Sequence, residues 1–190
     1  MSKSSKTDAP SPGDLRDDLR RRNLKWNWDA IAADCVAHQD LLPQLLRSCT
    51  DSEVIIQQNA GAVLGKIIDL DQAILVPHLP EMLANLEAQP HDAVKRATMR
   101  VLQSCEIPEA QEGAVFDVAM RYVSDFEEAI AIRGYSITVA RRLCQRYPSL
   151  RHELLPIVHD LIEQNASAAI VTRAKRELKL LEELTEPPEG

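Results

Sequence analysis

The chain has 190 residues, enough for one domain with a sizeable core, and it carries a net charge of −7. Apolar residues make up 45% of it but aromatics only 4%, so any interior is built mainly from Leu, Ile, Val and Ala. Six glycines are few for an all-β protein with many tight turns, and the negative charge argues against broad attraction to nucleic acid or to an anionic membrane.

Residues 1–12 are polar, with no apolar stretch of the signal-peptide kind. They and the acidic, Pro-rich residues 185–190 read as flexible tails on a single domain over 13–184. Within that domain helix signals alternate with short breaks. Asp14 to Arg22 reads as a charged lead-in helix. Asn27 caps a helix through Ile31 and Cys35, and Leu41 to Leu46 form another. Asp51 and Glu53 open a helix through Ala60, Leu64 and Ile68, and Asp71 opens one through Leu75, Leu79, Leu83 and Leu86. Asp92 starts the next, through Ala97, Val101 and Cys105. Pro108 and Glu109 begin one that reaches Tyr122. Ser124 or Asp125 caps a helix through Ile137 and Leu143, Ser149 starts one through Leu154 and Leu161, and Ser167 starts the last, through Ala174 and Leu181. Caps, acidic first turns and apolar spacings of three and four agree throughout. Sustained period-two alternation is missing, so no strand is expected.

Connections this short make neighbouring helices antiparallel, which gives a row of helical hairpins. Two registers repeat along the row. Leu-x-Pro-like steps fall at Pro43, Pro77 and Pro156, separated by 34 and 79 residues, the second interval being close to two repeats. In the alternate helices Asn59-Ala60, Arg96-Ala97, Arg133-Gly134 and Arg173-Ala174 recur at 37, 37 and 40 residues. Interleaved periods of this size are the mark of a two-helix solenoid. Pro77 and Pro156 lie about six residues into their helices, where loss of a backbone donor is expected to bend them. The small residues at 60, 97, 134 and 174 are expected where helices approach closely.

The pattern resembles HEAT repeats, in which a proline-bent first helix precedes a second helix marked Asp-x-Val-x-Arg-Ala. Asp92-Ala93-Val94-Lys95-Arg96-Ala97 carries it best and Val171-Thr172-Arg173-Ala174 carries its second half. Asn59 and Gly134 depart from it. The likeness over residues 24–184 is greater to short bacterial HEAT-repeat proteins, through Trp26-Asn27-Trp28-Asp29, Leu41-Leu42-Pro43, Ile107-Pro108-Glu109 and Arg146-Tyr147-Pro148. That group has no function to carry over. The adenylosuccinate lyase label attached to some members is set aside, because this chain lacks that enzyme's Ser- and Gly-containing signature loop and is far too short for its helical bundle. The resemblance implies an all-α, right-handed α-α superhelix of about four helix pairs behind a leading helix.

Catalytic signatures are not found. The five histidines, His38, His78, His91, His152 and His159, have no partner at zinc spacing, and His91 reads as a helix cap before Asp92. Glu127-Glu128 and Glu182-Glu183 read as solvated pairs. Cys35, Cys49, Cys105 and Cys144 are far apart and form no Cys-x-x-Cys. Buried free thiols in a reducing cytoplasm account for them most simply, with a disulfide or a reactive thiol as alternatives. No segment approaches the roughly 20 apolar residues that span a bilayer. Of Trp26 and Trp28, two apart and therefore on different helix faces, at most one is expected in the core, covering the first apolar edge of the stack; an exposed aromatic contact for a partner is the alternative.

The candidate site is basic. Lys95, Arg96 and Arg100 lie on one second helix, Arg133 on the next, and Arg173 and Arg176 on the last. By analogy with HEAT stacks these helices line the concave face. The cations then form either a structural ladder, paired to acids such as Asp51 or Asp92 of neighbouring repeats, or a recognition surface for a protein partner or acidic peptide, with a nucleic-acid backbone as the second choice. Expected, then, is an interaction module without catalytic residues, cofactor or metal.

Overall fold

The computed structural model describes residues 14–20, 25–164 and 167–184. Both expected tails, 1–12 and 185–190, lie outside these residues, as does residue 13 at the domain's expected start. The described residues contain helices and no strand.

Two leading helices, α1 (Asp14–Arg20) and α2 (Lys25–Ala37), precede four pairs. These are α3 (Leu42–Ser48) with α4 (Val54–Asp71), α5 (Leu79–Glu87) with α6 (Asp92–Leu102), α7 (Glu109–Ser124) with α8 (Ile130–Arg146), and α9 (Arg151–Glu163) with α10 (Ala168–Glu182). The apolar spacing explains the burial. In α6, Ala93, Val94, Ala97, Val101 and Leu102 form one buried face while Arg96 between them points to solvent. Similar faces merge into one continuous core from Leu15 and Leu19 to Leu181, with Trp28 packed half-buried against it. The Trp26 side chain lies outside the described residues.

Helices α2, α4, α6, α8 and α10 pack on one another in sequence and far more extensively than α3, α5, α7 and α9 do. A stack whose one layer is tightly spaced and whose other is loose must curve, with the tight layer inside. Trp28 of α2 and Tyr135 of α8 line the same groove. Three helix spacings of about 8–10 Å would hold them roughly 25–30 Å apart at their axes in a flat layer, so the curvature is pronounced.

Several local expectations are corrected. The segment from Asp71 to Leu86 is not one helix. Asp71 caps a 3-10 segment, Gln72–His78, by accepting from the Ala73 amide, and Pro77 falls inside it. Pro80 then occupies the first turn of α5, where its missing donor costs nothing. Pro43 sits likewise at the start of α3, whereas Pro156 does lie inside α9. Asn27 is not a cap of its own helix; it donates to the Asp18 carbonyl and so satisfies the end of α1 (3.1 Å). Neither Ser124 nor Asp125 caps α8. Ser124 ends α7, and α8 starts at Ile130 behind Ala129. His91 and Ser167 cap α6 and α10 as expected, His91 Nδ1 accepting from the Ala93 amide at 3.1 Å.

The small-residue register needs refinement. Ala60, Ala97, Gly134 and Ala174 are all buried, but the approach that leaves no room for a side chain is one residue on from Ala60, at Gly61. A Cβ there would lie 2.4 Å from the Ala93 carbonyl carbon and 2.5 Å from the Val94 nitrogen. At Gly134 an added Cβ would meet only side chains, Arg173 at 3.5 Å and Ile170 at 3.9 Å, both ordinary contacts.

Candidate functional site: the inner helical layer

Polar side chains join repeats at the repeat spacing. Arg142 donates to the Leu102 and Cys105 carbonyls (2.5 and 2.7 Å), and Asn85 to that of Leu46 (2.9 Å), so the exposed ends of α6 and α3 are capped from the next repeat. Asn59, which stands where the repeat pattern has Arg, is 1% exposed. It donates to the Leu19 carbonyl at 2.6 Å and accepts from Trp28 Nε1 at 3.2 Å, tying both leading helices to α4. The departure from the pattern is thus the fastening of the N-terminal end.

Sequence reasoning missed three buried glutamates. Glu177, 1% exposed, accepts from Thr138 Oγ1 (2.8 Å), Arg141 Nε (2.9 Å) and Arg176 Nη2 (2.5 Å). Burial favours its neutral form, but these donors outweigh that and hold its pKa below the usual carboxylate value. Glu112, 5% exposed, accepts from Arg146 (2.6 Å) and the Tyr147 hydroxyl (2.7 Å). Glu128 is buried rather than solvated and meets Lys95 Nζ at 2.9 Å. Its neighbour Glu127, like Glu182 and Glu183, is exposed.

The six predicted basic residues therefore have separate fates. Lys95 is held by Glu128 and, at 3.5 Å, by Asp92; burial opposes its charge, but Glu128 outweighs it and the pKa is raised. Arg100 pairs with Asp69 and donates to the Gly65 carbonyl (3.2 Å). Arg176 is spent on Glu177. Arg133 is buried, stacks on the Phe126 ring at 4.8 Å and donates to the Val123 carbonyl, with its Nε unpartnered. Burial lowers its pKa against the pull of Asp125. Arg173 bonds Thr138 (2.9 Å) and lies over Tyr135 (5.5 Å). Arg96 is exposed and has no carboxylate partner among the described residues. Asp51, expected as a partner for these arginines, binds Arg16 instead (2.7 Å). The six do not make a continuous positive strip.

What the inner layer does hold is a groove of about 250 Å³ shared by α2, α4, α6 and α8. Trp28 and Tyr135 supply aromatic walls, Arg96 and Arg100 stand on α6, and Lys66, paired with Asp29 at 2.7 Å, borders it. Gly61 and Gly65 lie on its α4 side. Gly61 is required by the close approach of α6, but Gly65 is not, since an added Cβ would meet nothing within 4 Å. Glycine inside a helix costs about 0.5–1 kcal/mol relative to alanine. Position 65 carries that cost without a packing return and leaves the groove open.

The four cysteines are buried free thiols, and burial pushes Cys35 and Cys49 up to about 12 and Cys144 to about 11. Among the described residues no group of three or more His, Cys, Asp and Glu is placed to hold a metal, and no helix is long and apolar enough to cross a membrane.

Repeated antiparallel pairs sharing one core define the class, an all-α repeat solenoid. The HEAT repeat domain family matches residues 15–181, and the chain belongs to that family. No curated protein and no solved structure matches it.

Proposed function

We propose that the chain is a non-catalytic scaffold that binds a partner protein in the inner groove, through a segment whose carboxylate pairs with Arg96 while its neighbouring side chain lies against Trp28 and Tyr135. The observation that carries this is the groove itself: four successive inner helices share it, a mid-helix glycine keeps it open, and the exposed guanidinium at its edge has no anion. HEAT repeats commonly mediate protein–protein association, which supports the reading by analogy of fold. Neutralisation of Lys95, Arg100 and Arg176 and burial of Arg133 favour a local carboxylate over a long polyanion, which needs several free cations in register. Buried unpaired thiols agree with a cytoplasmic setting.

The test is affinity capture from a native lysate on the wild-type chain and on Arg96→Glu, with melting temperatures matched. Partners retained by the wild type and reduced at least tenfold on the variant are expected. Equal capture on both, or no reproducible partner, contradicts the proposal.

A further inference from the structure

The curvature that closes the inner layer spreads the outer one, and between α7 and α9 it leaves a second groove, of about 490 Å³. Its size falls within the range of ligand-binding clefts. The floor is apolar: Phe116 and Leu143 are 6% and 3% exposed, and Leu150 and Tyr147 reach it from the end of α8 and the turn that follows. Tyr147 leaves 39% of its surface uncovered although its hydroxyl is tied to Glu112. The rim is acidic. Glu109, Asp117 and Glu153 are exposed around it and have no cationic partner among the described residues. The nearby Arg146 is bound to Glu112.

Gly113 sits in the second turn of α7 on the groove wall. An added Cβ there would meet nothing within 4 Å, so no neighbouring element requires a glycine. As at Gly65, a helix of 16 residues carries a stability cost whose one structural consequence is open space above an apolar floor.

We infer that this outer groove is a second docking site, distinct from the inner one, and that it takes a basic segment of a partner protein. An aliphatic or aromatic side chain of that segment fills the space over Gly113 and Phe116. Lysines or arginines on either side of it face Glu109, Asp117 and Glu153. The apolar floor supplies the contact area and the unpaired carboxylates select the sign of the flanking charge. The two grooves then prefer opposite partners, an acidic segment inside and a basic one outside, so one chain can bridge two proteins.

The experiment is selection of a random 12-residue peptide display library on the full chain, followed by fluorescence anisotropy of the enriched peptides on defined variants. Enriched peptides with two or more Lys or Arg around an apolar residue are expected. They should bind at least tenfold more weakly to Gly113→Leu and to the double variant Glu109→Lys/Glu153→Lys, and more weakly as salt rises. Arg96→Glu should leave them unchanged, which separates this site from the inner groove. Should Gly113→Leu fold poorly, the double charge reversal on the exposed rim still decides. Enrichment without basic–apolar peptides, or binding indifferent to the rim reversal, overturns the inference.

Discussion

The α4–α6 and α8–α10 junctions join successive repeats by different physical means. At the first, backbone meets backbone: Gly61 lets α4 come so close to the start of α6 that no Cβ fits. At the second, Gly134 is not under that constraint, and the helices are tied by a buried carboxylate, Glu177, holding Thr138 and Arg141 across the interface. The same repeat spacing is thus compatible with a dry steric contact and with a charged one. A dry contact tolerates no added volume. A charged one tolerates volume but not the loss of either partner.

The largest effect expected from breaking this contrast is at Glu177. Glu177→Ala leaves Arg141, with 11% of its side chain exposed, without its counter-ion. Removing one member of a buried pair typically costs about 3–5 kcal/mol, and urea unfolding should register a loss of that order. A cost below about 1 kcal/mol would show that the pair is not the fastening. Next is Gly61→Ala, which should destabilise by about 1–3 kcal/mol through overpacking, although alanine is the better helix former. A stabilised variant would refute the close approach.

The acid response follows from the sign of the Glu177 shift. Its pKa is lowered on folding, so its stabilisation is present above the unfolded carboxylate value of about 4.3 and is lost as pH falls through the folded value. The difference in melting temperature between the wild type and Glu177→Gln should therefore be widest near neutral pH and shrink below pH about 4. A difference that grows on acidification would contradict this. The smallest change is Gly134→Ala, which should be neutral or stabilising by up to about 1 kcal/mol, the opposite sign to Gly61→Ala.

Much of this architecture is readable in the residues. The apolar stripes of α4, α6 and α10, the caps at His91 and Ser167 and the two registers rest on local chemistry, which survives folding. The start of α8 and the broken 72–78 segment are not legible there, because acidic residues and a leucine run mimic helix signals while tertiary packing decides where the chain turns. Glu177 does leave a trace in the sequence: it lies three residues after Ala174 and four before Leu181, on the buried stripe of its own helix. An acid at a stripe position calls for a cation one repeat away, and Arg141 is 36 residues back. The arginine ladder was legible as a pattern of positions but not as a surface. Identical register positions at Arg96 and Arg133 end up exposed and buried according to what the neighbouring loop offers, here Phe126. Groove openness was hidden too, since sequence alone does not tell a glycine needed for contact, Gly61, from one facing open space, Gly65.

Trp28 is placed to report on a partner that occupies the inner groove. In a Trp26→Phe background, Trp28 emission should change when a captured partner is titrated in, and Gly65→Leu, which fills the groove, should abolish both the change and the binding. A partner that binds with full affinity while Trp28 emission stays constant, or that binds Gly65→Leu equally well, would contradict the account.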